Sequence, residues 1–245
     1  MADEATAPIT TAPVAIAAST GTSPTPISLR APSKYPQGGS KVLTTSGEPF
    51  VAPPNEWIHG TWTVTHSTLS MWRSAQNVRI TYTPHKRGPA TSPSAAADGN
   101  SNGNASNPAV NDNLVEYEKK NGKGGVKTVL GTEKPDPNIP AAWNWRGKGW
   151  LMIASSHWEV LGWGGRPSSS GDGSVVRWAV TWFAPTLFTE EGVDIYSDRR
   201  EGLDKETADI IIEALKRLEA PKLVELVEKK MSEVAISLPW KEGSK

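Results

Sequence analysis

From Gly60 to Thr83 this chain repeats with a period of two. Trp62, Val64 and His66 fall on one side of an extended segment, with Thr61, Thr63 and Thr65 on the other. Val78, Ile80 and Tyr82 then oppose Asn77, Arg79, Thr81 and Thr83. The same alternation returns in VVRWAVTWFA, where Val176, Trp178, Val180 and Trp182 oppose Arg177, Ala179, Thr181 and Phe183. Successive side chains of a strand point to opposite faces, whereas an amphipathic helix needs a period of 3.6. The chain is therefore read as β, with eight strands over 59–68, 77–84, 113–118, 125–132, 149–156, 157–162, 175–184 and 192–197. The fifth and sixth are divided near Ser155–Ser156, inside the unbroken run GWLMIASSHWEVLGWG.

Eight sequential strands joined by hairpin-length links favour an antiparallel meander. A meander loses its exposed edges only by closing, and eight strands close into a barrel wide enough for one small ligand. A β-sandwich is the competing layout, since the two long loops can supply Greek-key crossovers. The fold class is mainly β: an eight-stranded antiparallel up-and-down barrel with a C-terminal α-helix. Residues 1–54, rich in Ala, Thr, Ser and Pro, read as a disordered arm, because they bury too little apolar surface to offset the entropy of ordering. The barrel domain spans 55–200. Residues 87–112, Ser-, Asn- and Gly-rich, read as a disordered insertion at a hairpin tip, where a long loop costs little.

Residues 201–245 change period. Asp204 is an N-cap with Glu206 in the first turn, and Ile210, Ile211, Ala214, Leu215 and Leu218 make a helical stripe. Pro221 starts a second helix at its first turn, continued by Leu223, Leu226 and Val227. Such a stripe packs on the parent domain, with a protein partner as the alternative.

Composition narrows the function. The 26 basic and 26 acidic residues balance, so no global charge holds a nucleic acid or an anionic membrane. The chain has no cysteine, which removes disulfides, thiolate metal sites and thiol nucleophiles. There is no His-Glu-x-x-His pattern, no clustered carboxylates, no nucleophile elbow and no phosphate loop opening a helix. The expectation is no metal, no cofactor, no nucleic acid and no membrane span. No signal-like apolar stretch is recognised near the N-terminus, so a cytoplasmic location is expected.

Gly60-Thr61-Trp62 at the start of the first strand resembles the Gly-x-Trp signature of lipocalins and the wider calycin group. The resemblance implies that Trp62 plugs the barrel base against an arginine from late in the chain, and Arg199 and Arg200 follow the last expected strand. It also implies a helix after the barrel. The order of elements matches over roughly residues 57–220. The absence of cysteine separates the chain from secreted lipocalins and implies a lifestyle nearer that of fatty-acid-binding proteins.

Candidate site residues follow from the expected parity. Tryptophan is abundant: Trp143, Trp145, Trp150, Trp158, Trp163, Trp178 and Trp182 crowd one region with Phe183 and Phe188. Large aromatics around a cavity suit a flat apolar ligand. Trp62 and His66 share the inward face, and Trp178 and Trp182 follow if their strand keeps that parity. Arg79 and Arg177 stand inside strands. An inward guanidinium must be paired, and a ligand carboxylate is one such partner. The expected ligand-binding set is Trp62, His66, Arg79, Trp158, Arg177, Trp178 and Trp182, holding a small hydrophobic molecule, aromatic or carboxylated. An enzyme on the same barrel, a cyclase, isomerase or dehydratase, would use His66 or the His157–Glu159 pair for acid–base work. Nitrobindin-like calycins imply a third use of His66, as a haem ligand. A solidly packed barrel serving as an interaction module is a fourth reading.

Overall fold

A computed structural model describes residues 27–35, 43–85, 110–168, 170–186 and 189–242. Eight strands run in chain order: β1 (Gly60–Ser67), β2 (Ala75–Pro84), β3 (Asn111–Lys119), β4 (Val126–Pro135), β5 (Ala142–Gly147), β6 (Ser155–Pro167), β7 (Val175–Phe183) and β8 (Gly192–Ser197). Each pairs antiparallel with its sequence neighbour, and β8 pairs with β1 through Thr63↔Ser197 and Val64↔Tyr196. That last pairing closes the barrel and removes the sandwich alternative. Two helices follow, α1 (Lys205–Lys216) and α2 (Pro221–Lys230), then a two-residue strand β9 (Ser232–Glu233) laid beside β1.

The helix signals act as expected. The Asp204 carboxylate accepts from the Thr207 backbone N–H at 2.8 Å, and Pro221 opens α2. Their apolar residues Ile211, Ala214, Leu215, Leu223 and Val227 are buried against Trp178, Val180, Trp182, Val193 and Ile195 on the outside of β7 and β8. A partner protein would thus meet the charged side of the helices.

Three expectations about boundaries change. The fifth strand is Ala142–Gly147, not 149–156. Trp143 and Trp145 supply its period-two inward face, while Gly149, at φ +62°, turns the chain through a short 3-10 segment (Gly149–Leu151). The arm expected over 1–54 is ordered over 27–35 and 43–54; residues 1–26 and 36–42 lie outside the described residues. Leu29 and Arg30 are buried on the barrel wall, and the Arg30 backbone N–H donates to Leu161 O at 2.8 Å. The wall accommodates them because β6 carries a bulge between Val160 and Gly162. A Cβ on Gly162 would stand 2.2 Å from Leu29 Cδ2, so only glycine leaves the space. Of the insertion expected at 87–112, residues 87–109 lie outside the described residues, and Asn111 and Asp112 already belong to β3.

Candidate functional site

One end of the barrel is plugged. Trp62 is fully buried and its indole N–H donates to Ile58 O at 2.6 Å. The Trp57 ring lies 5.0 Å away and bridges to Trp163 at the same distance. The Arg177 guanidinium sits 4.9 Å above the Trp62 ring, a cation–π contact, and is held by Asp198 at 2.9 Å and by Trp57 O at 3.0 Å. A plug of this kind is what the Gly-x-Trp resemblance implied. The arginine, however, is Arg177 of β7. Arg199 instead donates to Val175 O, and Arg200 stacks on Trp240.

The other end opens into a cavity of about 580 Å³. Its walls are Trp72, Ile80, Tyr82, Val115, Trp145, Trp158 and Phe183, and Leu69, Met71, Leu151 and Ile153 form the mouth. Trp158 is the central slab. It stacks on Trp143 with ring centroids 4.4 Å apart, and lies 5.6 Å from Tyr82 and 6.5 Å from Phe183. Trp145 is positioned by its N–H donating to Asn113 Oδ1 at 3.2 Å, and by Gly131 on the neighbouring strand. A Cβ at Gly131 would stand 2.0 Å from the Trp145 indole nitrogen, so the ring lies flat on bare backbone. The side chain of Trp150 and all of Phe188 lie outside the described residues.

Several expected site residues face elsewhere. His66 does not share the face of Trp62. β1 carries a bulge between Val64 and His66, and the extra residue reverses parity. His66 therefore points into an exterior groove beside Lys205, Asp209 and Glu233, where burial is the main cause lowering its pKa. Without a histidine among the described lining residues, neither the haem reading nor a His66 acid–base role has its group in the cavity. Trp178 and Trp182 lie on the outer face of β7 under the helices, and Trp182 donates to Glu191 at 2.7 Å. β7 turns Arg177, Ala179 and Thr181 inward instead, because its outer face is the more apolar one. Arg79 is also outside, paired with Glu116 at 3.1 Å and stacked on Trp240. His157 and Glu159 do meet, at 3.3 Å, but on the exterior, where Glu159 bonds Arg30 at 2.7 Å and the Ser33 backbone N–H at 3.1 Å. That pair fastens the segment 27–35 to the wall. Of the seven expected ligand residues, Trp158 lines the cavity, and Trp62 and Arg177 close its far end.

Sequence reasoning missed the interior acids. Asp194 is fully enclosed and accepts from Ser67 Oγ at 2.5 Å. Burial raises its pKa to about 7, against the lowering effects of Ser67, Trp72 and Arg73. Glu133 is buried against the cavity, its Oε2 without a hydrogen-bond partner, and burial pushes its pKa well above the ordinary range. The signal was present: Asp194 and Glu133 both sit at alternate positions whose neighbours face out. It was indistinguishable from a solvated strand face until register was known.

Asp194 has a consequence for stability. A carboxyl raised in the folded state stabilises below its unfolded pKa of 3.8, and that contribution is lost as pH rises through 7. Asp194→Asn removes the cost of ionising there. The variant is expected to be more stable than the parent by about 1–3 kcal/mol at pH 8, with the margin shrinking toward pH 4. Thermal melts across that range check it; a margin independent of pH overturns the assignment.

Among the described residues, no group of three or more His, Asp or Glu gathers to hold a metal ion, and no helix is long and apolar enough to cross a membrane. No protein-family profile and no curated protein sequence matches the chain. Among solved structures, it aligns with apocrustacyanin C1 at 12% identity and a TM-score of 0.43, covering 77% of this chain and 82% of that one. It aligns with lobster apocrustacyanin A1 at 11% identity and a TM-score of 0.39, covering 76% and 81%. The barrel itself is established by its strand pairing.

Proposed function

We propose that this protein binds a small, largely apolar aromatic molecule non-covalently inside the barrel, as a carrier or store in the cytoplasm. The observation that carries the reading is the cavity of about 580 Å³ walled by Trp72, Tyr82, Trp145, Trp158 and Phe183, at the barrel end opposite the Trp62 plug. That volume falls in the range of sites for drug-sized ligands, and flat rings stack on indole faces better than aliphatic chains do. A packed interaction module would have no use for such a void. A carboxylated ligand fits less well than an aromatic one, because both candidate arginines are engaged outside the cavity, Arg79 with Glu116 and Arg177 with Asp198.

The test is the intact mass of protein purified from its natural host, sprayed under native conditions and again after denaturation. A discrete surplus lost on denaturation is expected, with a mass matching a compact aromatic compound. Protein of unchanged mass under both conditions, together with no quenching of tryptophan emission by naphthalene-based compounds, would overturn the reading.

A further inference from the structure

Glu133 is a carboxyl that the fold itself does not use. It lies on β4, is 1% exposed, faces the cavity, and has an Oε2 with no hydrogen-bond partner. Placing an unpaired carboxyl there is costly, and an apolar side chain at that position would pack without penalty. Its surroundings offer it no cation. Trp145 stands opposite it across the ladder, the Trp158 indole favours its charged form against the larger effect of burial, and Tyr82 and Tyr196 are the titratable groups that feel it. Arg73 acts on Asp194 from outside the barrel, where it donates to Ser67 O and Lys230 O. No lysine, arginine or histidine is among the described residues lining the cavity.

We propose that Glu133 sets ligand specificity, selecting aromatic molecules that carry a basic nitrogen and meeting that nitrogen as a carboxylate–ammonium pair. The proposal rests on the reading of the barrel as a binder of aromatic molecules and names their chemical class. An ammonium beside Glu133 gains a charge-assisted hydrogen bond to the open Oε2. It also stands among the faces of Tyr82, Trp145 and Trp158, whose negative quadrupoles attract a cation. A carboxylate ligand would meet an acid and no counter-charge. The proton count follows. Burial favours the protonated form of Glu133 in the free protein. An amine enters as the ammonium, and the Glu133 carboxyl gives its proton to solvent as the pair forms. At any pH where the free carboxyl carries its proton, that proton leaves as the amine binds, and affinity there rises with pH by up to about tenfold per unit. A neutral acceptor, by contrast, takes a hydrogen bond from the protonated acid and releases nothing.

Calorimetric titration of the full chain with 2-(2-naphthyl)ethylamine, 2-(2-naphthyl)ethanol and 2-naphthylacetate separates these cases. The amine is expected to bind tightest at pH 7.5, by about tenfold or more over the alcohol. Glu133→Gln should bring the amine-to-alcohol ratio down at least tenfold. Equal affinity for amine and alcohol, or an unchanged ratio in Glu133→Gln, overturns the specificity and leaves the aromatic cavity standing. Failure of all three compounds to bind overturns the cavity reading and the specificity together. The comparison of amine with alcohol needs only the unmodified chain, so it decides the matter even if the variant does not fold.

Discussion

Arg30→Met is expected to lower the free energy of unfolding by about 3–5 kcal/mol, the cost of breaking a buried ion pair on one side only. Arg30 is 1% exposed and Glu159 is fully buried. Beyond Glu159, the guanidinium donates to Val160 O at 3.0 Å and Pro140 O at 3.2 Å and stacks on Phe50. Removing it leaves Glu159 with only Ser33 and His157. Burial pushes the Glu159 carboxyl up, but His157, Arg30 and Ser33 together outweigh that and hold it below the ordinary value of 4.5. The stabilisation is therefore present above that value and lost as pH falls through the folded pKa, so the penalty of Arg30→Met should shrink in acid. Denaturant midpoints at pH 7 and pH 4 measure this. The double variant Arg30→Met with Glu159→Leu should recover most of the loss, because no uncompensated charge remains. A single variant within about 1 kcal/mol of the parent would mean that the segment 27–35 does not depend on this pair.

Trp62→Ala is expected to cost a similar amount, about 3–5 kcal/mol, for a different reason. The indole fills the barrel end, bonds Ile58 O, and supports the Trp57 ring and the Arg177 guanidinium. Truncation leaves a void between groups that the rigid strands cannot bring together. Trp62→Phe keeps a ring under Arg177 and loses the hydrogen bond, so it should cost clearly less. Equilibrium unfolding of both variants checks the order; an alanine variant as stable as the phenylalanine one would show that Trp62 is not the plug.

These two residues mark the limits of reading the chain unaided. Trp62 was legible because its evidence is local. A glycine and a tryptophan at the head of an alternating segment define both the strand and the buried face, and no distant partner is needed to see it. Arg30 was illegible because its evidence is distant. Its region is rich in Ala, Pro, Ser and Thr, and only the bulge in β6, with Gly162 as a bare patch of wall, gives Leu29 and Arg30 somewhere to bind. The cavity follows the same rule. The aromatic content suited a flat apolar site, and Trp158 lines the cavity. Glu133 was not legible, because the expected fourth strand ended at residue 132, whereas β4 runs to Pro135.

The sequence by itself determined the mainly β class, an antiparallel meander of eight strands, and two helices after the barrel, one opened by the Asp204 cap and one by Pro221. All of these rest on periodicity, capping and turn residues that act over a few positions. Tertiary structure alone decided which face of each strand is the inside. Alternation shows that two faces differ, and it identifies the inner one only when the other meets water. In β7 both faces are buried, one by the cavity and one by α1, α2 and Leu29, so Trp178 and Trp182 lie outside although they are the most apolar residues of their strand. In β1 a single extra residue reverses the face, and His66 leaves the interior while Ser67 and Asp194 enter it. A bulge changes no local propensity that the sequence displays; it is set by the register of two strands more than 120 residues apart, which only the closed barrel brings together.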